Sequence, residues 1–173
     1  GIKKIGVLGG GQLGRMLLQA AANYPVTVHI LENDTNCPAA HLCHQFTLGD
    51  IRDFEAVYNF GKSLDAITIE IENVNVEALE KLEYYVCIDF FLNETARHAD
   101  YVLAGSLQEE EEGTTTSAEG RVIRIRQAVT PPGDARTDTS IILELAKRLG
   151  AEDKFTFENS EAIFNELRVA SKG

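Results

Sequence analysis

The chain has 173 residues, 44% of them hydrophobic and 25% charged, enough to bury the core of one or two compact domains without disulfides. Its three cysteines, Cys37, Cys43 and Cys87, form no paired framework, which predicts a reducing, cytoplasmic setting, and no apolar run approaches the roughly 18 residues that span a bilayer. With 27 acidic against 16 basic side chains the net charge is −11, so a phosphodiester backbone is repelled, and neither nucleic acid nor membrane is an expected partner.

Ile2 to Leu8 is apolar after two lysines, a glycine-rich turn follows, and Leu13, Met16, Leu17 and Ala20 continue at helical spacing; this reads as strand, turn, helix. Pro25 ends the helix, and the β-branched run Val26 to Leu31 suits a strand buried on both faces. A short helix is predicted from Pro38 to about Cys43, a strand at Phe46 to Leu48, a helix from about Ile51 to Phe60 and a strand at Ala66 to Ile69. Asn75 is placed to cap a helix through Leu82, its side-chain oxygen accepting from free N–H groups of the first turn. Tyr84 to Ile88 reads as the next strand, followed by a helix from about Asn93 to His98 and a strand at Tyr101 to Leu103. The four like charges of Glu109 to Glu112 and the polar stretch through Ser117 predict a solvated loop. Val122 to Val129, with Arg121, Arg124 and Arg126, predicts an exposed extended segment whose arginines are screened by the acidic run. After the turn at Pro131-Pro132-Gly133, two amphipathic helices are predicted, one with Ile141, Ile142, Leu145 and Leu149 on its stripe, the other with Ala162, Ile163, Leu167 and Ala170.

This alternation predicts the α/β class: a three-layer, doubly wound, Rossmann-like domain with a mainly parallel sheet, an irregular extended segment and two C-terminal helices. All 173 residues are expected to share it, with Tyr84 to Ile88 entering as the strand after Ala66 to Ile69.

Three constellations bear on function. The turn Gly9-Gly10-Gly11-Gln12-Leu13-Gly14 lies between a strand and a helix, where absent side chains let backbone N–H groups and the positive helix end approach a phosphate. Glu32, at the end of the second strand, is where a carboxylate bonds ribose hydroxyls in dinucleotide sites. The alternative is that these glycines serve only a tight turn and close packing. Glu70, Glu72 and Asn73 emerge at the carboxyl edge of the sheet, the ligand edge of open α/β folds; otherwise they are solvated, and Asn73 or Asn75 simply caps the following helix. Cys37, His41, Cys43 and His44 carry metal-ligand atoms, but their spacing does not match the paired ligands of a structural zinc site, and no metal is expected. No nucleophile, base and orienting group assemble, so no catalytic residue is assigned.

The motifs carry a resemblance in two pieces. Gly9-Gly10-Gly11-Gln12-Leu13-Gly14-Arg15-Met16, Asn36-Cys37-Pro38-Ala39-Ala40 and Ile67-Thr68-Ile69-Glu70-Ile71-Glu72-Asn73-Val74-Asn75 make residues 1–82 resemble the N-terminal domain of carboxyaminoimidazole ribonucleotide synthase, the ATPase subunit of phosphoribosylaminoimidazole carboxylase in purine biosynthesis. Residues 83–173, through Asp89-Phe90-Phe91-Leu92-Asn93-Glu94-Thr95-Ala96, Ala99-Asp100-Tyr101-Val102-Leu103 and Glu112-Gly113-Thr114 to Pro132-Gly133, resemble a segment of molybdopterin oxidoreductases of the formate dehydrogenase alpha-subunit type. The resemblance implies an engineered chimera without native catalysis, since the ATP and Mg sites of the first family and the molybdenum ligand of the second lie elsewhere in those proteins. No cofactor is expected, although the families use ATP with Mg and molybdopterin guanine dinucleotide. A weak phosphate or nucleotide site at the glycine turn is the retained feature. The alternatives are a truncated carboxylase subunit binding aminoimidazole ribonucleotide phosphate through Gly11, Gln12 and Leu13 with Glu72 near the sugar or base, and a nicotinamide-dinucleotide binder using Glu32. An incompletely covered sheet edge or helix face makes a homodimer the expected protein partner.

Overall fold

The computed structural model describes residues 1–71 and 73–170. Their contacts group into two compact units, one made of Gly1–Tyr85 with His98–Asp100, the other of Val86–Arg97 and the chain from Tyr101 onward.

In the first unit, β1 (Lys3–Leu8), β2 (Val26–Glu32), β3 (Gln45–Leu48) and β4 (Ala66–Ile69) form a parallel sheet in the order β3-β2-β1-β4. Leu8 lies opposite Leu31 in β2 and Ile69 in β4, so three strand ends finish together. Successive strand residues point to opposite faces, and both faces are covered. Val7, Val28 and Ile30 pack on one side with Leu18 of α1 (Gln12–Ala21). Leu8 and Leu31 pack on the other with Val57 and Phe60 of α2 (Phe54–Gly61) and with Ala78 and Leu79 of α3 (Val76–Glu80). This is the three-layer α/β architecture that the alternating pattern predicts. Each fully buried Val, Leu or Ile here contributes about 1.5–3 kcal/mol of transfer free energy. Asp53 caps α2 through Ala56 N–H at 2.8 Å, and Asn75 caps α3 through Ala78 N–H at 2.8 Å while donating to Arg52 O at 3.1 Å.

The predicted helix from Pro38 to Cys43 is instead a run of turns. Ala40, Leu42 and Cys43 N–H close isolated turns onto Cys37 O and Ala39 O, while Ala39 N–H bonds Gly10 O at 3.0 Å and, just beyond the segment, His44 N–H bonds Val28 O at 2.8 Å. These bonds tie the segment to the sheet and leave no continuous helical ladder.

In the second unit, β5 (Val86–Asp89) pairs in parallel with β6 (Tyr101–Ala104) across α4 (Glu94–Arg97). The expectation that Tyr84 to Ile88 would join the sheet beside Ala66–Ile69 is therefore corrected: among the described residues β5 and β6 form a two-stranded sheet of their own. The alternating pattern specifies that a strand forms but not which strand it meets. The predicted solvated loop is also corrected. After a 3₁₀ turn at Gln108–Glu110, β7 (Gly113–Thr116) pairs antiparallel with β8 (Val122–Ile125), and β-branched threonines suit that ladder. Glu110 is buried, its carboxylate accepting from Leu107 N–H at 2.9 Å. Arg124 pairs with Glu112, as the charge pattern predicts, and also, at 3.6 Å, with Glu161, which that pattern did not name. Thr137 caps α5 (Asp138–Arg148), Gly150 follows with a left-handed φ of 71°, and α6 (Ser160–Ala170) completes the described chain. No helix among the described residues is long and apolar enough to cross a membrane.

Ile30 is fully buried in the centre of the larger sheet. Replacing Ile30 with Ala is expected to cost about 2–5 kcal/mol, measured as a lowered urea midpoint with an unchanged slope; a cost below about 1 kcal/mol would contradict this packing.

Candidate functional site

The glycine turn forms where β1 stops and α1 begins. Gly9 has φ of +104°, a conformation that L side chains rarely adopt, and its N–H donates to Leu31 O at 3.0 Å. Close approach accounts for two further glycines: a Cβ on Gly10 would collide with Cys37 Sγ, and one on Gly14 would lie 3.2 Å from Gly9 O. α1 begins at Gln12 with no side-chain cap from Gly11 and no acidic residue in its own first turn, so its leading N–H groups lack the usual local acceptor.

Carboxylates from two other strands reach this turn. Glu32, at the end of β2, accepts from Gly10 N–H at 2.9 Å through Oε2 and from Asn33 N–H at 2.7 Å through Oε1. Glu70, just beyond β4, accepts from Gly11 N–H at 3.2 Å. A Cβ added to Gly9 or Gly11 would lie 2.5 or 2.8 Å from the Glu70 carboxylate oxygens. Gly9, Gly10, Gly11, Gly14, Glu32 and Glu70 are thus brought together, while Gln12 and Leu13 lie exposed at the helix start. Asn73 is exposed on the connection to α3 and it is Asn75 that caps that helix. Glu72 lies outside the described residues.

Cys37 is buried beneath the turn, and burial pushes its thiol above the ordinary range. Burial has the same effect on Cys43. His44 Nδ1 accepts from Val28 N–H at 3.0 Å, so this imidazole is a structural acceptor. Among the described residues no group of three or more His, Cys, Asp or Glu side chains is placed to hold a metal. A groove of about 530 Å³ beside α2 includes Asp53 and Glu55, but these already accept from Ala56 N–H and from Asn59 Nδ2 at 3.1 Å.

Sequence reasoning missed a cavity in the second unit. At the carboxyl ends of β5 and β6, about 560 Å³ is lined by Ile88, Asp89, Phe90, Phe91, Asn93, Gly105, Ser106, Asp138 and Ile142. Asp89 accepts from Phe91 N–H at 2.9 Å and from Asn93 Nδ2 at 2.7 Å. The rings of Phe90 and Phe91 lie 4.8 Å apart and are exposed. Ser106 is 8% exposed, and its Oγ is buried without a hydrogen-bond partner among the described residues, a cost that native interiors rarely leave unanswered. The readable signal was Asp89 at a strand end and Asp138 opening a helix; they line one cavity because Gly105 N–H bonds Asp89 O at 3.1 Å while Arg136 N–H bonds Ala104 O at 3.0 Å.

A family model described as the ribonucleotide synthetase preATP-grasp domain matches residues 2–90, running past Leu82 into β5. The chain is 46% identical over 79 residues to the chloroplastic phosphoribosylaminoimidazole carboxylase of Vigna aconitifolia, covering 46% of this chain and 14% of that protein. It is 45% identical over 109 residues to the assimilatory nitrate reductase catalytic subunit of Bacillus subtilis, covering 62% of this chain and 15% of that protein. Among solved structures, N5-carboxyaminoimidazole synthetase from Staphylococcus aureus in complex with ADP is 35% identical, over 45% of this chain and 21% of that one, with a TM-score of 0.43. The two-part resemblance read from the motifs stands, and this chain spans 14–15% of the length of the two curated relatives.

Removing the orphaned hydroxyl by Ser106→Ala is expected to raise stability by about 1 kcal/mol, since an unsatisfied buried polar group costs about 1–3 kcal/mol. A thermal melt checks this; a clear loss of stability would mean that the hydroxyl is bonded within the fold.

Proposed function

Because the chain belongs, through residues 2–90, to the ribonucleotide synthetase preATP-grasp domain family, we propose that its glycine turn seats the phosphate of a ribonucleotide of the aminoimidazole class. One observation carries this reading: Gly10 and Gly11 N–H already hold anionic oxygens, those of Glu32 and Glu70, at the start of a helix without a cap of its own. Successive backbone N–H groups that hold anionic oxygens ahead of a helix N-terminus are the donors that phosphate binding uses. Glu32 supports this seat more than a nicotinamide-dinucleotide one, because one of its oxygens holds Gly10 N–H of the turn and the other holds Asn33 N–H beyond its own strand, and a ribose diol would have to compete with both. We read the chain as a recombined, engineered joining of this binding unit to an oxidoreductase segment, a binding module without the native catalysis of either parent. Aminoimidazole ribonucleotide is expected to shift the amide resonances of Gly10, Gly11 and Gln12 saturably in the millimolar range. Gly11→Ala, which fills the cradle, should weaken the effect about tenfold, equivalent to about 1.4 kcal/mol. ATP and bicarbonate added to the same mixture should yield no carboxylation. Unshifted amides at about 10 mM ligand, or turnover, would overturn the reading.

A second reading concerns the cavity of the second unit, supported by the orphaned Ser106 hydroxyl. Its polar lining contains no Lys or Arg, and the carboxylate left to a ligand is that of Asp138, since the Asp89 oxygens already accept from Phe91 N–H and Asn93 Nδ2. Such a site favours a ligand's N–H and O–H donors over its phosphates, and the exposed Phe90 and Phe91 rings offer a face for a planar base. We read this lining as suited to the guanine nucleoside end of the cofactor used by the resembled oxidoreductases, with Ser106 and Asp138 as its contacts. Guanosine, which presents adjacent N–H donors to a carboxylate, is expected to give saturation-transfer signals with the chain that adenosine does not, and Ser106→Ala should weaken them. Equal signals from both nucleosides would remove the support.

A further inference from the structure

Resting on the reading of the glycine turn as a phosphate seat, we propose that Glu70 is a resident competitor for that seat: its carboxylate occupies the anion position and must leave before a phosphate enters. The two carboxylates at the turn are not equivalent. Glu32 is committed through both oxygens, to Gly10 N–H at 2.9 Å and to Asn33 N–H at 2.7 Å. Glu70 holds Gly11 N–H by the longer bond of 3.2 Å. Its backbone is anchored at the end of the β1-β4 ladder, where Glu70 N–H donates to Leu8 O at 3.0 Å. The side chain can therefore leave the turn without disturbing the strand.

The glycines are fitted to this occupant. Side chains at Gly9 or Gly11 would intrude within 2.8 Å of the Glu70 oxygens, so the space opened by two glycines of the turn is carboxylate-sized and filled from within. A dianionic phosphate cannot share it, because like charges at hydrogen-bonding separation in a partly buried site repel strongly, and Gly11 has a single N–H to give. Ligand entry is thus an exchange of one anion for another. The carboxylate both completes the uncapped helix start in the free chain and lowers affinity for every anion that reaches it.

The test titrates ribose 5-phosphate into the full chain as wild type, Glu70→Gln and Glu70→Ala, followed by calorimetry, with thermal melts to verify folding. Both variants are expected to bind about tenfold tighter or better than wild type, because each lacks the competing charge. In wild type the side-chain carboxyl carbon resonance of Glu70 should move as ligand saturates, a readout that needs no variant. Equal or weaker binding by the variants, or a Glu70 resonance that stays fixed at saturation, would overturn the competition and leave the phosphate seat standing. Binding by none of the three forms would overturn both.

Discussion

Everything at the candidate site depends on the parallel pairing of β1 with β2 on one side and β4 on the other, in registers that bring Leu8, Leu31 and Ile69 to one level. That alignment delivers the first residues beyond each strand to a single place: Gly9 to Gly11 from β1, Glu32 from the end of β2, and Glu70 from β4. A register shift of one residue would turn the alternating core residues over to the wrong faces, which is why burial of Val7, Val28 and Ile30 on one side and of Leu8 and Leu31 on the other holds the site's geometry as firmly as any hydrogen bond within it.

The turn illustrates how a net charge of −11 coexists with an anion-binding geometry. Backbone N–H groups carry no formal charge that composition reveals, and their orientation at a helix start creates a local positive potential within an acidic chain. The same acidity supplies the groups that answer that potential in the free protein. Glu32 and Glu70 answer the N–H groups of Gly10 and Gly11, immediately ahead of α1, and leave the first turn of the helix itself without a side-chain cap.

The second unit follows different physics. The sheet of β5 and β6 is small, and Val86, Ile88, Tyr101 and Val102 remain exposed on it, whereas the four-stranded sheet buries both faces. Its cavity retains an unbonded hydroxyl at Ser106. Buried polar groups left without a partner are rare in native interiors, which sets this cavity apart from the core of the first unit.

Periodicity was enough to place the strands and helices of residues 1–82, because alternation of apolar residues is written locally. The cap at Asn75 and the glycine turn were legible for the same reason, each depending on neighbours within a few positions, whereas the cap at Asp53 was overrun by a helix placed from about Ile51. The turns from Pro38 to Cys43, the pairing of β5 with β6 and the hairpin of β7 and β8 were not, since each depends on a backbone partner that no local pattern identifies: Gly10 for Ala39, and the facing strand for β5 and β7. Likewise the sequence determined that Glu32 and Glu70 stand at strand ends, and family motifs marked the turn; only the tertiary structure decided that both carboxylates lie on that turn, because the distance between residues 11 and 70 is a property of strand order and register and not of any local pattern.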